Sequence, residues 1–341
     1  MRPLVLVAGV LLLAGCGGKG KSSDSSSGGA LVGAGSTLVF PLVAKWIPDY
    51  AKTHGVAITY GPIGSGGGIR QLTNRAVDFG ASDAPLTANE QSACKGCVEI
   101  PWALAGTAIT YNVPGAPKHL RLTGPVIADM FLGKITSWND AAIAKLNPGA
   151  KLSTIPVTPI FRRDSSGTTY TFTDFLSRVS PTWKRRLGTG TSVEFPTGAG
   201  GEGSSGVAAA LSRARGAIGY LDAAYAIENG LSSAAVRNRA GNYVLPVRRA
   251  VSAAAATVTS VRPGKAVSIV DPPASAAAAY PISTFTYAVV PQKSAKANLL
   301  SPFLTYAIGP GQRFAAALQF AVLPPKILAA DKATIAKLRT S

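Results

Sequence analysis

Apolar and polar positions along the chain repeat as short strand-like runs and helix-like runs, joined by glycine-rich loops. Leu31 to Phe40 starts as a strand, turns at Gly33 and Gly35, and passes through Ser36-Thr37 into a helix whose apolar face carries Leu42, Val43, Trp46 and Ile47. Val56 to Tyr60 alternates as a strand and runs into Gly61-Pro-Ile-Gly-Ser-Gly-Gly-Gly68, with a helix expected from Ile69 to Arg75. Val77 to Ser82 is another short strand, and Asp83 follows at its carboxyl end. The β-branched run Ile155 to Ile160 leads through the loop Phe161 to Thr169 into a segment where Phe172, Phe175, Leu176 and Val179 recur at helical spacing.

The rest of the chain reads in the same alternating way. Ile100 to Val113 and Tyr280 to Val290 are strong strands, each suited to crossing between domains. Helices are expected over 123–132, 139–146, 207–213, 299–308, 311–320 and 327–338, a helical fragment over 253–256, and a strand over 216–221. The segment 261–280 carries weak signals. The 341 residues exceed one ordinary core, so two domains of α/β class are expected.

Chemistry concentrates in the loops at strand ends. In open α/β sheets such loops converge at the carboxyl ends of the strands. The loop Arg162-Arg163-Asp164-Ser165-Ser166-Gly167-Thr168 offers a guanidinium, hydroxyls and a glycine that lets backbone approach a ligand. A helix start adds free N–H groups and the positive end of the macrodipole, so this is a seat for a tetrahedral oxyanion. Taken alone, the same residues read equally as a Ser166 or Thr168 helix cap beside a solvated arginine. Gly61 to Gly68 lacks the Lys of a Walker loop, although Ser65 and the turn amides suit an anion. A formal Gly-x-Gly-x-x-Gly at Gly198, Gly200 and Gly203, with Asp222 near the dinucleotide offset, lacks the surrounding Rossmann order.

The N-terminus changes the picture of where the protein works. Arg2 precedes the apolar run Leu4 to Ala14, too short to span a bilayer and read as a signal-peptide core. It ends in Leu13-Ala14-Gly15-Cys16, which resembles the bacterial lipobox, so residues 1–15 are expected to be removed and Cys16 lipidated. Residues 16–30 form a Gly/Ser tether of ~20 Å reach on random-coil scaling. The protein is therefore expected to be exported and lipid-anchored on the outer face of the cytoplasmic membrane.

In that oxidising compartment Cys94-Lys-Gly-Cys97 reads as a small structural disulfide rather than a redox centre. The two histidines, His54 and His119, share no cluster with acids or thiols, so neither zinc nor another metal site is expected. They also leave Ser166 without a base, which disfavours an exported phosphatase or hydrolase. Lys and Arg exceed Asp and Glu by 34 to 16, giving +18 at pH 7. These charges are scattered, without a basic helix or stacking aromatics, so the reading is a solvated basic surface facing anionic lipid or cell wall and not nucleic acid.

Gly33-Ala-Gly-Ser-Thr-Leu, Gly64-Ser65-Gly-Gly-Gly, Val77-Asp-Phe-Gly-Ala-Ser-Asp83-Ala-Pro, Arg162-Arg-Asp-Ser-Ser166-Gly-Thr168 and Gly216-Ala-Ile-Gly-Tyr resemble the phosphate-binding proteins of bacterial high-affinity phosphate ABC importers. So do Phe131-Leu-Gly-Lys-Ile-Thr-Ser-Trp-Asn and Ala141 to Gly149, and the similarity runs in order over residues 31–341. The resemblance implies a two-lobed periplasmic-binding-protein fold of type II, with lobe I from 31–110 plus 281–341, lobe II from 111–280, and ligand in the cleft between them. It implies a non-enzymatic, monomeric receptor without cofactor that hands inorganic phosphate to membrane-embedded permease subunits.

Carried over residue by residue, the resemblance assigns the anion to Thr37, Leu38, Ser65, Asp83, Arg162, Ser166, Gly167 and Thr168, with Asp164 orienting Arg162. Leu38 stands where many members have Phe, which alters packing rather than donors if the contact is a backbone N–H. The Cys94–Cys97 pair is not a general family feature. Asp83 is the most informative residue. A buried carboxylate faces an anion favourably only where the anion donates a proton to it, which phosphate does and sulfate does not. Sulfate and phosphonate receptors remain the nearest alternatives.

Overall fold

The computed structural model describes residues 29–340; the expected signal peptide, the lipidation site Cys16 and the tether through residue 28 lie outside the described residues. One long strand, Cys97–Asn112, belongs to both lobes. Its first part, to Gly106, pairs antiparallel with Ser283–Pro291, and its second part, from Thr107, pairs antiparallel with Ala217–Asp222. The strand changes partner at Gly106/Thr107, which makes the join between the lobes.

In the first lobe the sheet continues from Ser283–Pro291 through Phe79–Ser82 and Ala30–Gly35 to Ala57–Gly61, the last three mutually parallel. In the second it continues from Ala217–Asp222 through Thr158–Arg162 to Ala199–Gly201, again parallel. The longest apolar runs are the central strands Cys97–Asn112 and Ser283–Pro291, antiparallel to their neighbours and buried along nearly their whole length. Each lobe closes its own core, Trp46, Phe79, Trp102 and Phe303 in the first and Phe131, Phe172, Trp183 and Tyr220 in the second.

Helices follow the parallel strands and start at the cleft: Phe40–His54, Ser65–Thr73, Gly167–Val179 and Gly203–Arg213. The first begins four residues after Ser36, because the Ser36 hydroxyl accepts from the Leu38 N–H at 3.1 Å and holds a turn ahead of it. The second begins inside the glycine run, at Ser65, not at Ile69. Gly66 N–H is taken by the Ser165 carbonyl at 3.0 Å, so tertiary contact outweighs the low helix propensity of glycine. The expected helix 311–320 is instead two 3-10 turns, Pro310–Phe314 and Ala316–Leu318. Three helices absent from the sequence reading, Ala88–Cys94, Pro181–Arg186 and Ala223–Glu228, are short and capped by Thr87, Ser180 and Asp222.

Cys94 and Cys97 form a disulfide joining the end of the helix Ala88–Cys94 to the start of the long strand, and both are buried. Among the described residues no helix is long and apolar enough to cross a membrane.

Candidate functional site

The loops at the carboxyl ends of the parallel strands meet in a cleft where the two lobes touch. Ser65 is the pivot. Its Oγ accepts from the Asp83 N–H at 3.3 Å within its own lobe and from the Gly167 N–H at 3.1 Å across the cleft. Two accepted bonds leave its O–H free to donate. Gly167 is required by this approach: a Cβ there would lie 2.6 Å from both the Asp83 nitrogen and Ser65 Oγ.

Asp83 is buried, 2 % exposed, and Ser36 Oγ lies 2.6 and 2.7 Å from its two carboxylate oxygens. Burial pushes its pKa up to about 6, against the pull of Ser36, Thr286, Arg162 and Ser65. A second buried carboxyl, Asp222, is pushed up to about 8 by burial, with the Asp83 charge adding to the shift. Asp222 caps the helix Ala223–Glu228 through the Ala224 N–H at 2.8 Å.

Arg162 enters from the other lobe at the end of its strand, with its side chain 2 % exposed. Nε donates to Asp164 Oδ1 at 2.7 Å and Nη2 donates to Oδ2, a planar two-point grip that fixes the guanidinium. Asp164 also accepts from the Gly203 N–H at 3.1 Å. Burial pushes the Asp164 carboxyl up, but the Arg162 guanidinium outweighs it and holds the group below its ordinary value. Nη1 is committed only weakly, at 3.5 Å from Ser204 Oγ.

Ser166 caps Gly167–Val179, its Oγ accepting from the Thr169 N–H at 3.3 Å. Thr168 Oγ1, in the first turn of that helix, is buried without a partner among the described residues. Thr37 reaches the same cleft, but its hydroxyl lies 2.8 Å from Ser204 Oγ. Four helices thus start around the Arg162 guanidinium, the Asp83 carboxylate and the Ser65 and Thr168 hydroxyls. Their dipoles favour a negative charge, and Asp83 favours a ligand that brings a proton.

Of the expected residues, Thr37, Ser65, Asp83, Arg162, Ser166, Gly167 and Thr168 meet at this cleft with Asp164 behind Arg162, while Leu38 packs in the core of the first lobe and gives its N–H to Ser36 Oγ at 3.1 Å. Among the described residues no cluster of three or more His, Cys, Asp or Glu suits a metal ion.

Residues 20–310 match a PBP superfamily domain. A phosphate-binding protein PstS from Xylella fastidiosa is 38 % identical over 311 residues, 90 % of this chain and 85 % of the relative. Another, from Methanocaldococcus jannaschii, is 33 % identical over 91 % of this chain and 87 % of the relative. The chain belongs to the PstS family of phosphate-binding proteins. Solved structures share the fold. A high-affinity periplasmic phosphate-binding protein bound with phosphate superposes with TM-score 0.71 at 23 % identity, over 89 % of this chain and 93 % of that one. A phosphate-binding protein from Stenotrophomonas maltophilia does so with TM-score 0.68 at 22 % identity and the same coverage.

Three residues of this PstS-family cleft escape the sequence reading as site residues. Ser36 holds Asp83, Ser204 meets Thr37, and the Tyr225 hydroxyl donates to the Thr37 carbonyl at 3.1 Å. The signal for Ser204 was the glycine loop ending at Gly203, whose dinucleotide spacing is coincidental. Ser36 lay beside the expected Thr37, and nothing local marked Tyr225.

Proposed function

We propose that this PstS-family protein captures inorganic phosphate between its lobes and delivers it to the membrane-embedded permease of an ABC importer. The observation that carries the ligand assignment is the buried Asp83 carboxylate set among anion-seeking donors. Such a site accepts a tetrahedral anion that donates one hydrogen bond while receiving the others. Arg162, the Ser65 and Thr168 hydroxyls, and the Thr168 amide are the donors, while Gly167 gives its N–H to Ser65 and lets the two lobes come together. Thr37, Leu38 and Ser166 complete the shell, and Asp164 holds Arg162 in plane. The lobes on this reading are 31–110 with 281–341, and 111–280.

Delivery follows from closure. Contacts such as Ser65 to Gly167 and Thr37 to Ser204 join opposite lobes and exist only when the cleft is shut, so a permease reads a loaded receptor by its shape. The protein acts as a monomer held by lipid on Cys16 at the outer face of the cytoplasmic membrane. Its basic charge favours the anionic surface there.

Calorimetry tests the ligand directly. Purified protein, unfolded and refolded to strip bound anion, is titrated with phosphate, sulfate and methylphosphonate. Saturable heat with phosphate and none with sulfate is the expected result; sulfate binding as tight as phosphate binding would move the assignment to a general oxyanion receptor. Mass spectrometry of membrane-extracted protein, showing a diacylglyceryl mass on Cys16, checks the anchor.

A further inference from the structure

Among the described residues, Thr37 is a cleft residue that two separate pieces of the second lobe grip at once. Ser204, at the start of the helix Gly203–Arg213, places its Oγ 2.8 Å from Thr37 Oγ1 and donates its backbone N–H to the same oxygen at 3.2 Å. Tyr225, from the helix Ala223–Glu228, donates its hydroxyl to the Thr37 backbone oxygen at 3.1 Å. Neither Ser204 nor Tyr225 belongs to the proposed anion shell.

The position of this grip gives it a role. Thr37, Asp164, Gly203 and Tyr225 line an open cavity of about 740 Å³ that continues outward past Phe40 and Ile63. Thr37 and Asp164 also border the buried cleft, through Ser204 and Arg162 respectively. The grip therefore stands between the cleft and the cavity, on one of the ways from the cleft to solvent.

We propose that Ser204 and Tyr225 form a latch on Thr37 that sets how long the anion stays, without reading which anion it is. This rests on the phosphate reading above. Encounter takes place with the lobes apart, before the latch exists, so the latch leaves the association rate alone. Opening must break both contacts, so the latch acts on dissociation. Each of the two side-chain contacts, from Ser204 Oγ and from the Tyr225 hydroxyl, is a neutral hydrogen bond, so removing one speeds release by about fivefold.

The test measures association and release of radiolabelled phosphate, the release chased by excess unlabelled phosphate, for wild type, Tyr225→Phe, Ser204→Ala and Ser204→Thr. Tyr225→Phe and Ser204→Ala are expected to raise the release rate about fivefold each. The association rate and phosphate-to-sulfate ratio of Tyr225→Phe stay at wild-type values, and Ser204→Thr restores slow release. Tyr225→Phe removes one oxygen and keeps the ring, so it carries the test alone if Ser204→Ala fails to fold. Unchanged release, or affinity lost through slower association, overturns the latch. Wild type that captures no phosphate overturns the function itself, which keeps the two failures distinct.

Discussion

Replacing Asp83 by Asn changes one charge in the middle of the cleft and separates phosphate from sulfate recognition. In the wild type the ionised carboxylate meets a sulfate oxygen with no proton between them. Two buried acceptors face each other, at a cost of about 3 kcal/mol or more. Asn presents an N–H at nearly the same place, so sulfate affinity is expected to rise by roughly 100-fold. Phosphate loses a charge-assisted bond and keeps a neutral one, so its affinity falls by no more than about tenfold.

The same logic gives a pH signature. Asp83 in the closed cleft is raised to about 6 by burial. Protonated Asp83 donates to sulfate, so wild-type sulfate affinity should climb about tenfold per pH unit as pH falls towards that value, then level off. Phosphate supplies its own proton as the monoprotonated dianion and lacks this dependence above neutrality. Asn has nothing to titrate, so sulfate binding to the variant should be flat over the same range. Calorimetric titrations at about pH 8 and about pH 6 decide the matter. A folded Asp83→Asn that still ignores sulfate, beside a wild type with pH-independent discrimination, would refute the role given to the carboxylate.

Other substitutions probe different parts of the account. Gly167→Ala places a Cβ 2.6 Å from the Asp83 nitrogen, so closure is blocked. Phosphate affinity should then fall by about 100-fold or more, while the thermal midpoint of the empty protein moves little. Arg162→Lys keeps the charge but loses the planar grip on Asp164. Calorimetry is expected to show phosphate bound about 10- to 100-fold more weakly. Asp331 lies away from the described cleft contacts, buried with Oδ2 unpartnered, and burial raises it to about 8. Because the folded state holds that proton more tightly than the unfolded chain, wild-type stability falls as pH rises from about 4 to about 8. Asp331→Asn should match wild type at the acid end and exceed it by roughly 2 kcal/mol at the alkaline end, read by urea unfolding.

How much of this was legible in the sequence depended on distance along the chain. The strand-loop-helix units at Gly33–Val43, Gly61–Gly68 and Arg162–Val179 are local, and their apolar periods and hydroxyl-glycine loops announce them. Helix starts were less legible. Ser65 begins a helix in a glycine run only because Ser165 of the opposite lobe takes the Gly66 N–H. Long-range pairing was invisible. Ser36 and Asp83 are 47 residues apart, and Thr37 and Ser204 are 167 apart. Nothing local says that a serine after Gly203 will cross the cleft to a threonine near the other end of the chain. The disulfide was legible because Cys94 and Cys97 lie within one turn of each other and the export signal sets the redox compartment.

The central claim is that the cleft binds inorganic phosphate, and the most direct measurement is equilibrium dialysis of refolded, anion-free protein against radiolabelled phosphate with sulfate in large excess. The account predicts one phosphate retained per chain, undiminished by the sulfate. A protein that retains no label, or surrenders it to sulfate, would contradict it.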